Sequence, residues 1–238
     1  RLLSALLSTL TIPAMFYLGR QLFGPTVGLL AALILALSPF HVRFAQETRM
    51  YALLALNATL ALLTLTYVLR ESSIGWPEPR RPASDRPAQA RPAARRCDPD
   101  RRARSTWAAY IIFTAATLLT HNTAIFFLLA VNLFVLGAIL WRARAGRTQP
   151  ATHDPQLALR RRWLLAQLGV LLLWSPWLAP FVAQASSVDR EFWIARPTAG
   201  VVLAALKAFL SALLPELGGW EGVIWAGYAG LMLLGIVH

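Results

Sequence analysis

The sequence predicts an all-α protein, a polytopic bundle of transmembrane helices that forms a single membrane-embedded domain over residues 1–238. Hydrophobic residues make up 57% of the chain and charged residues 14%, whereas about a quarter of the residues in a soluble domain are charged. The apolar residues also lie in long blocks that contain no Asp, Glu, Lys or Arg. These blocks are 2–19, 21–42, 50–69, 105–141, 163–188 and 222–238.

Each block is long enough to supply one or two membrane spans, since a bilayer core needs roughly 20 apolar residues per helix. The block 105–141 is too long for one span, and the polar pair His121-Asn122 divides it into two helices joined by a tight turn. With the further apolar segment 200–214, which lies outside these blocks, about eight spans result. In chain order they are A 2–19, B 26–40, C 51–69, D 107–120, E 123–141, F 163–183, G 200–214 and H 222–238. Span G contains Lys207 and is open to a second interpretation as a re-entrant or interfacial helix.

The net charge of +12 is concentrated in two segments between spans. Residues 70–106 hold ten arginines and residues 142–162 hold six. Arginine-rich loops beside spans are typical of the cytoplasmic face, so this charge indicates membrane topology and not a nucleic-acid partner. The chain is therefore predicted to be an integral protein of the plasma (inner) membrane. The loops 41–50, 121–122 and 184–199 then face away from the cytoplasm.

Residues 71–106 are predicted to form a disordered cytoplasmic insert that is rich in Arg, Pro and Ala. From residue 75 onward it contains almost no large apolar side chain, so it cannot bury enough surface to offset chain entropy. Its arginines suit anionic lipid head groups. The single cysteine, Cys97, lies here, so an intramolecular disulfide is excluded.

The loop between spans B and C concentrates polar groups at the edge of the membrane. Between His41 and Tyr51 it contains an imidazole, two cations, a carboxylate and a phenol. Ionisable groups near hydrocarbon are costly, so they either mark a site or pair with one another. Two interpretations stay open: Glu47 and Arg49 cap span C and pair locally, with Tyr51 as an interfacial anchor, or the loop forms part of a site.

Two other polar clusters lie on the same side. His121-Asn122 forms the tip of the D/E turn, where a polar pair is by itself an ordinary turn signal. The loop after span F, from Gln184 to Arg196, adds further charged and aromatic side chains. Because all three clusters fall on one side of the membrane, we expect them to form one cavity.

Several of these segments carry a family resemblance. The strings Leu18-Gly-Arg-Gln-Leu-Phe-Gly24, Leu37-Ser-Pro-Phe-His41 and Ala45-Gln-Glu-Thr-Arg-Met-Tyr-Ala-Leu-Leu54 resemble the polyprenyl-phosphate-dependent membrane glycosyltransferases. This family, of the GT-C fold, includes protein O-mannosyltransferases and the aminoarabinose transferases of lipid A. Leu119-Thr-His-Asn122 and Trp174-Ser-Pro-Trp177 resemble later family segments, and the similarity covers most of residues 2–200.

The resemblance implies transfer of a sugar from a polyprenyl-phosphate-linked donor to an acceptor on the extracytoplasmic side. Family members carry an acidic motif, with the general base, in a first outer loop before the span that corresponds to A. We therefore expect this chain to be a fragment that lacks the first span and first outer loop and is inactive alone. The candidate substrate-binding residues are Gln46, Glu47, Arg49, Tyr51, His121 and Asn122.

The leaving group explains why cations matter in this set. A polyprenyl phosphate leaves as an anion, so the enzyme needs cations or a metal on the phosphate more than a proton donor. Arg49 is the best placed cation. Glu47 and His121 are candidate ligands of a divalent metal, the one cofactor that these residues suggest. Glu47 could instead orient Arg49 or bind sugar hydroxyls. His121 could instead donate a hydrogen bond to the phosphate.

The competing hypothesis is a non-catalytic polytopic transporter or lipid flippase. Such a protein needs polar groups deep within its spans. The predicted spans are almost free of ionisable residues, which favours catalysis at one face. The expected partners are the polyprenyl-phosphate-sugar donor and membrane lipid, and the acceptor is not specified.

Overall fold

The structure, a computed structural model, describes residues 1–71, 99–144, 155–191 and 198–202, together with 222–223, 226–227 and 230. In these parts the regular elements are helices, which confirms the all-α prediction. They are α1 Leu2–Phe23, α2 Pro25–Leu37, α3 Pro39–Gln46, α4 Tyr51–Glu71, α5 Pro99–Thr120, α6 Ala124–Arg144, α7 Pro155–Trp174 and α8 Leu178–Glu191, with a 3-10 turn at Ser175–Trp177. Most residues of the predicted spans G and H lie outside the described residues.

Four stretches of the described chain are long and apolar enough to cross a membrane, in agreement with a polytopic bundle. They are Leu2–Phe23, Tyr51–Arg70, Ala124–Trp141 and Leu159–Gln184, and they correspond to the predicted spans A, C, E and F. The bent pair Pro25–Leu37 and Phe40–Gln46, which corresponds to span B and the loop after it, is a fifth candidate.

The region of span B differs from the prediction, because much of the expected loop 41–50 is helical. Helix α2 ends at Leu37, and α3 continues from Pro39 to Gln46 after a bend of 56°. The cause is local. The Ser38 side chain accepts a hydrogen bond from the His41 backbone N–H at 3.4 Å, and Pro39 occupies the first turn, where its missing N–H costs nothing.

Helix α5 begins earlier than predicted. Residues 99–106, which we assigned to the disordered insert, form its first two turns, so the helical boundary lies at Pro99 and not near 107. Proline at a helix start is favoured, and Trp107 packs edge-on against Trp163 of α7 with ring centroids 6.5 Å apart, which anchors this end of the helix. The rest of the predicted insert, residues 72–98, lies outside the described residues.

The predicted span D forms part of helix α5. This helix is not among the four stretches that are long and apolar enough to cross a membrane. Its apolar part is interrupted by threonines, and it lies between α4, α6 and α7. Tyr110, Thr114 and Thr117 are almost fully buried. Because these side chains face other helices and not lipid, small and polar residues are tolerated there.

Helices α1 and α2 form a tightly packed hairpin. Gly24 joins them at φ +100°, a left-handed conformation that favours glycine. Farther along, Gly19 of α1 lies against Gly28 of α2. A Cβ atom at Gly28 would come within 2.7 Å of the Phe16 backbone oxygen, so the two helix backbones can approach this closely only at glycine.

The helices alternate in direction, and one end of the bundle gathers Ser8, His41, Tyr51, His121 and Gln184. We call this the His121 end. His41 Nε2 lies 3.1 Å from the Ser8 backbone oxygen, and the Tyr51 and His121 rings are 6.0 Å apart between centroids. The predicted loops 41–50 and 121–122 therefore lie together at one end of the bundle.

The opposite end, which we call the Arg162 end, gathers Gln21, Arg70, Arg104, Trp107 and Arg162. The Arg70 guanidinium, at the end of α4, donates hydrogen bonds to the side-chain and backbone oxygens of Gln21, near the end of α1. Arg104 of α5 and Arg162 of α7 line one groove. The two predicted arginine-rich loops thus adjoin this end.

A polar network crosses the core toward the Arg162 end. Trp163 Nε1 donates to Asn132 Oδ1 at 3.1 Å, Asn132 Nδ2 donates to Gln167 Oε1 at 3.2 Å, and Gln167 Nε2 donates to Tyr110 Oη at 3.3 Å. Valines, leucines and Trp163 surround it. The network links α5, α6 and α7, since hydrogen bonds between helices satisfy polar groups that lipid cannot.

Candidate functional site

Helix α3 positions the first part of the site. The bend at Ser38 turns the chain so that α3 packs against α1. His41 fixes this contact through its Nε2 atom on the Ser8 backbone oxygen at 3.1 Å. Arg43 lies two residues after His41 in the same helix, and its side chain is exposed. Helix α3 is therefore held against α1, and it places the Arg43 cation at the His121 end.

Glu47 lies between two arginines directly after α3. Its carboxylate oxygens are 3.6 Å from Arg43 Nε and 4.0 Å from Arg49 Nε. Both arginine side chains are largely exposed, whereas Glu47 is about one-third exposed. The expectation that Glu47 finds a cation is met by Arg43 as well as Arg49. We call these three residues the arginine–glutamate cluster, which has a formal net charge of one positive unit.

Aromatic rings connect α3 to the D/E turn. Phe40 and Phe44 are in edge-to-face contact at 4.5 Å, and Phe44 contacts Tyr51 in the same manner at 4.6 Å. Tyr51 then faces His121 at 6.0 Å. Edge-to-face rings pack with a defined geometry, so this row fixes the start of α4 relative to the turn before α6.

The hydrogen bonds of His121 determine which ring nitrogen is available. The backbone N–H of Thr123 donates to His121 Nδ1 at 3.2 Å, and the Thr123 hydroxyl is 2.7 Å from the same nitrogen. Since Nδ1 accepts this N–H, the neutral ring carries its proton on Nε2. His121 therefore presents an N–H donor on the side of the ring away from Thr123.

Asn122 ties the D/E turn to α8. Its amide nitrogen donates to Gln184 Oε1, and its oxygen accepts a hydrogen bond from Trp177 Nε1 at 3.2 Å. The 3-10 turn Ser175–Trp177 joins α7 to α8. The second and third polar clusters of the sequence therefore meet through Asn122, Trp177 and Gln184.

The structure thus connects most of the predicted site residues in three groups at one end. Glu47 and Arg49 lie in the arginine–glutamate cluster, Tyr51 contacts His121, and Asn122 contacts Gln184. Gln46 ends α3 and is exposed. The side chains of 189–191 and the residues 192–197, which include Trp193 and Arg196, lie outside the described structure. The single cavity expected from the three clusters stays a prediction.

Arg43 belongs to the arginine–glutamate cluster, but it is absent from the candidate residues predicted from the sequence. It is the nearer of the two partners of Glu47, at the i to i+4 spacing that brings side chains together on a helix. The signal for this helix is the Ser38-Pro39 pair, a typical helix start, which the loop assignment of 41–50 passed over.

The described residues do not supply a metal site. No three His, Cys, Asp or Glu side chains cluster among them. Glu47 is engaged by Arg43 and Arg49, and His121 uses Nδ1 for Thr123. A divalent cation that used these two candidate ligands would have to displace Arg43 and Arg49 from the Glu47 carboxylate.

Comparison with known families finds a similarity in the first part of the chain. Residues 1–77 match the family model described as dolichyl-phosphate-mannose-protein mannosyltransferase. The match confirms the resemblance to polyprenyl-phosphate-dependent glycosyltransferases over residues 1–77, and the resemblance of later segments stays a prediction. It spans about a third of the chain and includes α1 to α4, with the whole arginine–glutamate cluster. No curated protein and no solved structure matches the chain.

This mannosyltransferase match and the apolar helices agree on the general class. The family model indicates glycosyltransferase activity, and the four membrane-compatible stretches indicate an integral membrane protein. His121 and Asn122 lie beyond the matched segment, but Tyr51, which lies within it, contacts His121.

Proposed function

We propose that the protein transfers a sugar from a polyprenyl-phosphate donor to an acceptor on the extracytoplasmic side of the plasma membrane, at the His121 end. The observation that carries this proposal is the arginine–glutamate cluster. It lies within the family-matched segment and keeps one net positive charge after Glu47 is paired with Arg43 and Arg49. Such a cluster can accept an anionic phosphate.

The distribution of arginine supports the sidedness. Sixteen arginines lie in 70–106 and 142–162, and both segments adjoin the Arg162 end. The positive-inside rule assigns that end to the cytoplasm. The His121 end then faces out, together with α3 and the D/E turn.

In the proposed reaction, the acceptor oxygen forms a bond to the anomeric carbon of the sugar while the bond from that carbon to the phosphate oxygen breaks. The polyprenyl phosphate leaves with the electron pair, and the acceptor proton passes to a base. Negative charge grows on the phosphate in the transition state, where fixed cations stabilise it most. Arg43 and Arg49 supply those cations.

The remaining residues position the donor. Glu47 holds the two guanidinium groups by charge. His121 donates through Nε2 to a phosphate or sugar oxygen, and the ring of Tyr51 offers a face for the sugar. Gln46 and Asn122 provide amide groups for sugar hydroxyls. The description of the matched family names dolichyl phosphate mannose and protein, so a mannosyl donor and a protein acceptor are the first pair to test.

A transporter or flippase would need polar side chains within the bundle to bind its substrate. The polar network around Asn132 is a set of such side chains. Its members bond to one another from three helices, through contacts of 3.1 to 3.3 Å. Because these groups are neutral and satisfied by each other, they stabilise helix packing. They offer no charged site for a substrate in transit.

The test is sugar transfer by the full-length protein in membranes, with a radiolabelled polyprenyl-phosphate sugar. Arg49→Ala should lower kcat/KM by roughly 30- to 1,000-fold, since loss of a charge-assisted contact to the leaving phosphate raises the barrier by about 2–4 kcal/mol. The matched control is Arg161→Ala, an exposed arginine of α7 at the other end, which should keep full transfer. Equal transfer by the two variants at matched expression would contradict the proposed role of Arg49.

A further inference from the structure

A second basic site lies at the Arg162 end, in a groove between α5 and α7. Its volume is about 650 Å³, within the approximately 300–1,000 Å³ typical of small-molecule sites. Arg104 and Arg162 line it from the two helices, and its walls are apolar. The lining residues are Ala103, Arg104, Trp107, Ala108, Ile111, Arg162, Leu165 and Ala166.

The shape of the groove follows from helix packing. Deeper in the bundle, α5 and α7 are in tight contact, because a Cβ atom added to Gly169 would lie 3.3 Å from two carbons of Ile111. Toward the Arg162 end, the alanines leave space between the helices. From Arg104 to Ile111 the groove is about 10 Å long, at 1.5 Å per helical residue.

The groove has two chemically different parts. Arg104 and Arg162 are exposed at its mouth, and none of the described lining residues is acidic. Below them, Trp107, Ile111 and Leu165 form apolar walls. Trp107 is held edge-on against Trp163, and tryptophan favours the level of lipid head groups. A ligand that fits both parts has an anionic head and an apolar tail.

We propose that this groove binds one anionic phospholipid from the membrane leaflet at the Arg162 end. The two guanidinium groups bind the phosphate, for which the planar arginine fork is well suited. The upper part of one acyl chain lies along Leu165 and Ile111. The site is separate from the arginine–glutamate cluster, and its occupancy does not depend on the proposed glycosyl transfer.

The test is native mass spectrometry of the purified full-length protein in detergent, titrated with phosphatidylglycerol or phosphatidylcholine. The wild-type protein should bind phosphatidylglycerol preferentially. Arg104→Ala/Arg162→Ala should weaken this binding roughly 30-fold, the loss expected when two arginines no longer attract an anionic head group. Arg101→Ala/Arg161→Ala removes the same charge from exposed positions of the same two helices outside the groove. This control should bind like the wild type.

A second variant separates binding from folding. Ala108→Phe fills the groove from an exposed position and keeps both arginines, so it should also lose phosphatidylglycerol while it elutes as a monodisperse protein. Retained binding in Arg104→Ala/Arg162→Ala, or equal losses in the two arginine pairs, would overturn the proposal. Equal binding of phosphatidylcholine by the wild type would show that the groove takes lipid without regard to charge and would overturn it as well.

Discussion

The two ends of the bundle surround their arginines differently. At the His121 end, Arg43 and Arg49 share the carboxylate of Glu47. At the Arg162 end, Arg70 donates to the neutral oxygens of Gln21, and Arg104 and Arg162 line a groove whose described walls contain no carboxylate. At the His121 end a carboxylate thus lies between the two arginines, whereas Arg104 and Arg162 share their groove with apolar side chains.

The two proposals assign different roles to these two sets of arginines. An exposed ion pair contributes only about 0–1 kcal/mol to stability, so Glu47 is not explained as a stabilising residue. It does restrict where two guanidinium groups lie, which a reaction with a developing phosphate charge requires. Exposed arginines beside apolar walls suit the proposed orientation of the Arg162 end toward the cytoplasm and the proposed binding of a lipid.

The largest expected effect is an all-or-none difference in access. In a Cys97→Ser background, Glu47→Cys should react with a membrane-impermeant maleimide added outside the cell, since the proposed topology places the His121 end outside. Arg161→Cys should react only after the membrane is permeabilised. Labelling of both positions from the same side would remove the contrast between the two ends.

A packing defect near the Arg162 end should affect stability and not transfer. Gly28→Ala places a methyl group within 2.7 Å of the Phe16 backbone oxygen and should lower the free energy of unfolding by about 1–3 kcal/mol. Gly137→Ala, on α6, meets no atom within 4 Å and is the matched control. Unfolding in detergent and transfer per folded molecule are the measurements. A loss of transfer without a loss of stability would mean that the two ends are coupled.

The smallest effect compares two asparagines. Asn132→Leu breaks the core network and leaves Trp163 Nε1 without its acceptor, so it should cost about 1–2 kcal/mol of stability. Asn122→Leu removes contacts at the half-exposed D/E turn and should cost less, while it lowers transfer. Thermal unfolding and the transfer assay together give the order. If Asn122→Leu proved the more destabilising change, the turn would be a structural element rather than part of the site.

The polar loops show how far sequence reasoning reaches. Alternation of spans predicted that 41–50 and 121–122 share one end, and the contact between Tyr51 and His121 confirms it. The same reasoning did not predict α3 or the pairing of Arg43 with Glu47, because it treated a short polar stretch as a loop. Local capping by Ser38 makes this stretch helical even though it is too short to span a membrane.

The sequence by itself predicted the four membrane-compatible stretches of spans A, C, E and F and the end of the bundle that adjoins the arginine-rich loops. Both properties depend on the composition of individual segments. The length and hydrophobicity of a stretch decide whether it can cross the bilayer, and the arginines of the flanking loops decide its orientation. Tertiary structure alone decided that α5 is enclosed by α4, α6 and α7, that Asn132, Gln167 and Tyr110 form one network, and that Arg104 and Arg162 share a groove. These features join residues far apart in the chain, and they depend on which faces of already formed helices pack closely, as the contact between Ile111 and Gly169 shows.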